Sequence, residues 1–227
     1  MGITDLNPAD NFFRYQNEDY FPADKLERSK YVPLNHCNAK ILQFKYGTNS
    51  LKSIIQEYYK TEDISFETID TAELRFFCES NLILAKSICD LTFSSICKIY
   101  GHYNIDSISK LKKNLIIFTD SPNYSFFKSI VENSKKPFTW ENLIIPSENG
   151  RSLRDVIVHK SAIDVSSSYI MSLEKDQISV DFTKMFIEAQ NRRMLCSMEI
   201  SKFVIMLDEG IFDFLNQVKL EIDEKLK

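Results

Sequence analysis

The segment DTAELRFFCESNLILAKSICDLTFSSICKIYG, Asp70–Gly101, contains the clearest helix in the first half of the chain. Its apolar side chains recur every three or four residues, which places them on one face of a helix. Gly101 follows the pattern, at a position where glycine commonly ends a helix. A helix of roughly thirty residues is about 45 Å long at 1.5 Å per residue. That length suits one rod of a helical bundle.

The whole chain has two predicted parts. Residues 1–35 contain three prolines and recurrent aromatic side chains, and we interpret them as an N-terminal arm. The arm either packs on the main body through its aromatics or binds a partner. Residues 36–227 then form one helical domain, whose first helical pattern runs from Cys37 to Lys60. Gly47 is a predicted break in it, with Asn49 or Ser50 capping the second half.

Shorter helices are predicted after Gly101, over 109–118 and 124–133, followed by a loop over 135–140 that Trp140 anchors. Apolar and polar residues then alternate on both sides of Glu174–Asp176, which predicts a β-hairpin over 163–182.

Helical spacing returns over 183–225, where Gly210 is a predicted break or kink. The fold class is therefore mainly α, an up-and-down bundle with a small β-hairpin before the last helix.

Composition limits the classes of function. The 227-residue chain is 44% hydrophobic and has a net charge of −4, which argues against a general nucleic-acid-coating protein. Five cysteines without a CxxC pair favour a reducing, cytoplasmic compartment and give no metal-ligand cluster. No apolar run approaches the roughly 20 residues needed to span a bilayer. We expect a soluble protein without metal or cofactor and with no membrane partner.

The strongest candidate site is the stretch ENGRSLRDVIVHK, Glu148–Lys160, which holds one of three histidines. On a helix, Asp155 and His159 share a face because they are four residues apart. The carboxylate can then accept a hydrogen bond from one imidazole nitrogen and leave the other nitrogen free for proton transfer. The guanidinium of Arg154 can reach a phosphate near the imidazole. These groups suit cleavage of RNA by its own 2′-hydroxyl, with Arg154 stabilising the charge that develops on phosphorus oxygens.

Two structural interpretations compete with this chemistry. The pair Ser152 and Asp155 has the spacing of a capping box, so Asp155 has an alternative role at a helix start. The run 156–158 is β-branched and favours a strand, on which Arg154 and His159 would point to opposite faces. A further alternative is that the chain is a helical interaction protein in which this short motif arose by chance.

The stretch Leu153–His159 resembles the signature of the HEPN superfamily (higher eukaryotes and prokaryotes nucleotide-binding), in which arginine, a polar residue, three further residues and histidine lie on a helix of an α-helical bundle. Arg154, Asp155 and His159 fill those positions. The resemblance implies a metal-independent endoribonuclease, acting as a homodimer with a composite active site in toxin–antitoxin or antiviral defence. It also implies a regulatory or antitoxin partner. A non-catalytic nucleotide-binding or partner-binding relative is the alternative function.

Other polar residues are weaker candidates. Arg75 and Glu79 have the spacing of a salt bridge on the Asp70–Tyr100 helix. Two groups of basic side chains either contact RNA phosphates or are simply solvated at the surface. The first group is Lys110, Lys112, Lys113, Lys135 and Lys136, and the second is Arg192 and Arg193.

Overall fold

The structure is a computed structural model that describes residues 12–13, 25–61, 70–136, 139–145, 163–170, 175–181 and 197–225. It is mainly helical, with a small three-stranded antiparallel sheet before the last helix, which confirms the predicted fold class. The elements in chain order are α1 Lys25–Lys60, α2 Thr71–Ile99, α3 Leu111–Asn114 between the 3₁₀ turns Ile108–Lys110 and Leu115–Phe118, α4 Tyr124–Asn133, α5 Trp140–Ile144, β1 Asp164–Ile170, β2 Lys175–Asp181, β3 Ser197–Glu199 and α6 Ile200–Lys225.

The chain divides into two compact units, each built from segments distant in sequence. Unit 1 comprises Met1–Lys45, Leu84–Asn133 and Gly210–Lys227, and unit 2 comprises Tyr46–Ile83 and Ser134–Glu209. Unit 2 includes the whole sheet and α5, whereas unit 1 includes α3 and α4.

Helix α2 forms as predicted, with both ends capped. The carboxylate of Asp70 accepts the backbone N–H groups of Ala72 at 2.9 Å and Glu73 at 3.1 Å. Such an N-cap satisfies donors that have no partner inside the helix. At the other end Gly101 has φ of 85°, and the N–H of His102 donates to the carbonyl of Cys97 at 2.7 Å. This is the Schellman arrangement, and glycine adopts it without steric cost.

Helix α1 differs from its prediction. It starts at Lys25, inside the segment assigned to the arm, and continues through Gly47 and both predicted caps, so the predicted break is wrong. Packing of the buried helix face stabilises α1 at this position, because that face continues without interruption on both sides of Gly47. The buried residues of this face are Leu34, Cys37, Ile41, Phe44, Thr48, Leu51, Ile55 and Tyr58.

Pro33 lies inside α1, where a side chain of α2 donates the hydrogen bond that the proline nitrogen cannot. A proline cannot donate to the carbonyl four residues earlier, which here belongs to Ser29. The ammonium group of Lys98 on α2 donates to that carbonyl at 3.4 Å. The adjacent carbonyl, of Lys30, accepts from the Ser95 hydroxyl, also on α2. Side chains of α2 thus compensate for the proline within unit 1.

Gly47 allows a close approach of α1 and α2 in unit 2. A Cβ at this position would lie 2.2 Å from Oδ1 of Asn81, well inside van der Waals contact. Asn81 is 1% exposed, and neither amide atom has a hydrogen-bond partner within the described part of the chain. The glycine therefore makes room for the asparagine.

We expect Gly47→Ala to destabilise the protein by about 1–3 kcal/mol, the usual cost of overpacking. Alanine's better helix propensity, about 1 kcal/mol, opposes this and reduces the net effect. In an Asn81→Ala background the clash is absent, so the same substitution becomes neutral or stabilising. Urea unfolding of the four proteins in this double-mutant cycle measures the coupling. Equal effects of Gly47→Ala in both backgrounds would contradict the packing explanation.

The core of unit 1 contains a cluster of aromatic rings around Phe118. Phe118 stacks on Phe127 with ring centroids 4.3 Å apart and contacts Phe93 at 5.9 Å and Tyr100 at 5.4 Å. Phe118, Phe127 and Phe93 are completely buried. The 3₁₀ turn Leu115–Phe118 brings Phe118 into this cluster while its neighbour Ile116 stays exposed.

The predicted hairpin is confirmed in β1 and β2, which pair from Asp164 with Asp181 to Ile170 with Lys175. Ile178 and Val180 are buried, and the residues beside them are half-buried, as the alternation predicts. A third strand, β3, pairs with β2 and was not predicted.

In the C-terminal region the predicted helix over Ser197–Glu199 is wrong, and of the two alternatives given for Gly210 the break is wrong. Ser197–Glu199 is a strand rather than helix, since it completes the sheet edge beside β2. Helix α6 passes through Gly210 without a break, because buried residues continue at helical spacing on both sides of it. Residues 183–196 lie outside the described ranges.

Candidate functional site

The predicted catalytic residues Arg154, Asp155 and His159 lie outside the residues that the structure describes, as do Ser152 and 156–158. Both flanks of the segment that carries them are described. Ile145, just after α5, and Ile163, just before β1, are buried in unit 2.

Helix α2 fixes the chain where it leaves this segment. The carboxylate of Glu79 accepts the backbone N–H of Ile163 at 2.8 Å. One turn earlier, Arg75 donates to the carboxylate of Asp164 at 3.2 Å. Arg75 and Glu79 therefore bind β1 instead of each other, and the predicted salt bridge between them is wrong. Their common helix face does follow from the four-residue spacing.

Tyr59 near the end of α1 makes a second contact with the sheet. Its hydroxyl accepts the N–H of Ile178 on β2 at 3.4 Å. Burial raises the pKa of Tyr59, the hydrogen bond from Ile178 opposes that rise, and the nearby negative charge of Glu199 adds to it. The tyrosine stays neutral near pH 7 and serves as a hydrogen-bond partner of the sheet, not as an acid or base.

In unit 1 a buried carboxylate lies among side chains of the types found in catalytic sites, but its hydrogen bonds give it a structural role. Glu221 on α6 accepts from Ser121 Oγ and Asn123 Nδ2, both at 2.7 Å, and from the Tyr100 hydroxyl. Burial, with the hydrogen bond to Glu221, raises the pKa of Tyr100 above its usual range. Three donors satisfy the carboxylate, which links α6 to Tyr100, just after the end of α2, and to the turn that holds Ser121 and Asn123. These residues are about 100 positions apart in sequence, and no local motif predicts the cluster.

A second cluster in unit 1 brings together a lysine and a serine. Lys86 Nζ lies 2.5 Å from Asp90 Oδ1 and 3.2 Å from Ser107 Oγ. Lys86 and Asp90 form an ion pair on one helix face, four residues apart. Asp90 also accepts from the Ser107 hydroxyl at 3.0 Å and from the Ile108 N–H at 2.9 Å. The cluster thus fixes the start of the Ile108–Lys110 turn.

The candidate RNA contacts divide between the units. Lys110, Lys112 and Lys113 lie in unit 1, where Lys110 forms an ion pair with Asp106 at 2.7 Å. Lys135 and Lys136 are exposed in unit 2. Arg192 and Arg193 lie outside the described ranges.

The cysteines whose positions are described behave as core residues. Cys37, Cys78, Cys89 and Cys97 are buried, and none of these four is in a disulfide bond. Burial raises the pKa of Cys97 to about 12 and raises those of Cys37 and Cys78 further. A reactive cysteine needs a lowered pKa, so these thiols are unsuited to nucleophilic catalysis.

A shallow depression of about 380 Å³ lies beside β3 in unit 2, lined by Ser197, Met198, Glu199, Lys202 and Met206. Its two charged residues, Glu199 and Lys202, pair with each other at 3.4 Å. It therefore presents no unpaired charge to a ligand.

The outer face of the α1–α2 pair in unit 2 carries three aromatic side chains, which we call the aromatic row: Tyr46, Phe76 and Phe77. Ring centroids of Phe76 and Phe77 lie 5.5 Å apart, and those of Tyr46 and Phe77 lie 6.4 Å apart. Tyr46 is 70% exposed and Phe76 is 62% exposed. Large side chains exposed side by side commonly mark an interaction surface.

The described ranges lack two further features. Within them, no group of three or more His, Cys, Asp or Glu side chains is placed to hold a metal ion. None of the helices there is both long enough and apolar enough to cross a membrane. Comparisons of the chain with protein families, with curated proteins and with solved structures find no match.

Proposed function

We propose that this chain is a metal-independent endoribonuclease of the HEPN type. The observation that carries the proposal is the spacing of Arg154, Asp155 and His159 in the sequence. The mainly α architecture is the fold class in which that motif occurs, and it supports the proposal at the level of fold.

In the proposed reaction, the imidazole of His159 takes the proton from a ribose 2′-hydroxyl. The 2′-oxygen attacks the adjacent phosphorus, and the bond from phosphorus to the 5′-oxygen breaks. The imidazolium of His159 returns its proton to that oxygen as it leaves, so the products are a 2′,3′-cyclic phosphate and a 5′-hydroxyl end. Arg154 stabilises the negative charge on the phosphoryl oxygens, and Asp155 orients the imidazole.

The proposed setting is cytoplasmic defence or stress, with RNA as the substrate. Two copies of the chain form a composite active site in this proposal, and an antitoxin or regulatory partner restrains it. The nucleophile is the 2′-hydroxyl of the RNA itself, so in this proposal the protein contributes only side chains and no metal ion.

Incubation of the purified protein with end-labelled RNA in excess EDTA tests the proposal. We expect shorter fragments that carry 2′,3′-cyclic phosphates, because the internal nucleophile forms that ring. Sequencing of RNA ends from cells expressing the protein then identifies the substrate. Intact RNA in both experiments would contradict the proposal, and cleavage abolished by EDTA would contradict its mechanism.

The second candidate function is that of a non-catalytic, HEPN-like helical protein that binds a partner. The exposed aromatic row favours it, since such a surface serves binding without chemistry. A protein that binds a partner through this surface and leaves all RNA intact would support this function instead.

A further inference from the structure

Two side chains of helix α2 hold the start of β1 in unit 2. Glu79 Oε1 accepts the backbone N–H of Ile163 at 2.8 Å, and Arg75 Nη2 donates to Asp164 Oδ1 at 3.2 Å. The side chain of Ile163 is also completely buried. Since these contacts fall on two consecutive residues, they fix both the position and the direction in which the chain enters β1. We call Glu79 and Arg75 the anchor pair.

Glu79 is the more important member of the anchor pair. The side chains of Arg75 and Asp164 are 40% and 44% exposed, so water screens their ion pair and weakens it. Glu79 instead accepts a backbone N–H, and a hydrogen bond to a carboxylate is stronger than one between neutral groups. Removal of the carboxylate takes this partner from an N–H whose residue has a buried side chain. We therefore expect the position of Ile163 to depend mainly on Glu79.

The anchored residue Ile163 is close in sequence to the proposed catalytic histidine. His159 is four positions before Ile163, so their Cα atoms are at most about 14 Å apart on any path, at up to about 3.6 Å per residue. The other buried flank, Ile145, is fourteen positions before His159. The contact at Ile163 therefore restricts the position of His159 far more than the contact at Ile145 does.

We infer that Glu79 is a positioning residue for the proposed reaction and acts through the backbone of Ile163 on His159. The inference rests on the proposed function, because it concerns the placement of the general base. A general base must lie within hydrogen-bond reach of the 2′-hydroxyl. A displacement of about 1 Å can cost about 100-fold in rate, so the fixed end of the chain next to His159 has a direct effect on the chemistry.

Single-turnover cleavage at saturating RNA tests the inference. Glu79→Ala should lower the rate by about 10- to 100-fold, because the base is held less well. It should leave the affinity for RNA unchanged, measured with the same sequence carrying uncleavable 2′-O-methyl riboses. Glu79→Gln keeps an oxygen that accepts the Ile163 N–H and should restore most of the rate.

Two control variants separate positioning from charge and from stability. Glu73→Ala removes an exposed carboxylate of the same helix and should cleave at the wild-type rate. Ile178→Val removes a methylene group from a buried side chain of β2 and lowers stability without changing the anchor pair. It should also keep the wild-type rate. An equal loss of rate in Glu79→Ala and Ile178→Val would overturn the inference, since general destabilisation would then explain both.

Amide hydrogen exchange at Ile163 tests the contact itself without RNA. Exchange should be slow in the wild type and in Glu79→Gln, and at least about tenfold faster in Glu79→Ala, because an amide that loses its partner opens more readily. Unchanged exchange in Glu79→Ala overturns the inference, and so does fast exchange with a wild-type cleavage rate. A wild type that leaves RNA intact contradicts the proposed function and the inference with it. A wild type that cleaves RNA while Glu79→Ala cleaves equally well contradicts the inference alone.

Discussion

His159→Ala is expected to lower the rate of RNA cleavage at saturating RNA by about 10²–10⁴-fold, the usual contribution of a general base or acid. Alanine cannot take the proton of the 2′-hydroxyl, so a poorly nucleophilic hydroxyl must attack phosphorus. Arg154→Ala should reduce the rate by a similar factor because the charge on the phosphoryl oxygens loses its stabilising cation. Single-turnover cleavage of a labelled RNA measures both effects and separates chemistry from binding.

The matched control is His36→Ala, which removes an exposed histidine of α1 in unit 1. It should cleave at the wild-type rate. Full activity of both His159→Ala and Arg154→Ala would exclude the motif as the catalytic centre and return the protein to the partner-binding class.

Local periodicity was sufficient to predict the elements that depend on local patterns. Helix α4 and the β1–β2 hairpin occur where apolar spacing predicts them, and Gly101 ends α2 by its own conformational freedom. Helix α1 could not be predicted in full, because Pro33 and Gly47 both read as breaks in a local pattern. Contacts with α2 remove both obstacles: Lys98 supplies the hydrogen bond that Pro33 lacks, and Asn81 occupies the space beside Gly47.

In the candidate site, too, the sequence predicts features that depend on local spacing and does not predict contacts between distant residues. The spacing of Arg154, Asp155 and His159 is readable in the sequence, and their roles stay a prediction. The binding of Glu79 to Ile163 joins positions 84 residues apart, and periodicity carries no information on such a pair. For Arg75 and Glu79, spacing correctly gave a shared face but assigned the wrong partners. Only the fold brings β1 next to that face.

Phe118→Ala is expected to destabilise the protein by about 3–5 kcal/mol, the usual cost of removing a buried phenylalanine ring. The ring is fully buried and contacts Phe93, Tyr100 and Phe127, so its loss leaves a cavity among rigid side chains. Domains are commonly stable by only about 5–15 kcal/mol, so this one substitution removes a large fraction of the total. Urea unfolding followed by helical circular dichroism measures the change in midpoint and slope.

Ile116→Ala is the control for Phe118→Ala, since it shortens a side chain in the same 3₁₀ turn that is 78% exposed. Its effect should stay within about 0.5 kcal/mol, as for most surface substitutions. Comparable losses in the two variants would mean that the turn backbone, and not the ring, determines stability at this position. A loss confined to Phe118→Ala identifies the aromatic cluster as the packing centre of unit 1. The turn that carries Phe118 lies only three residues before Ser121, so the same packing would help to hold Ser121 and Asn123 within reach of Glu221.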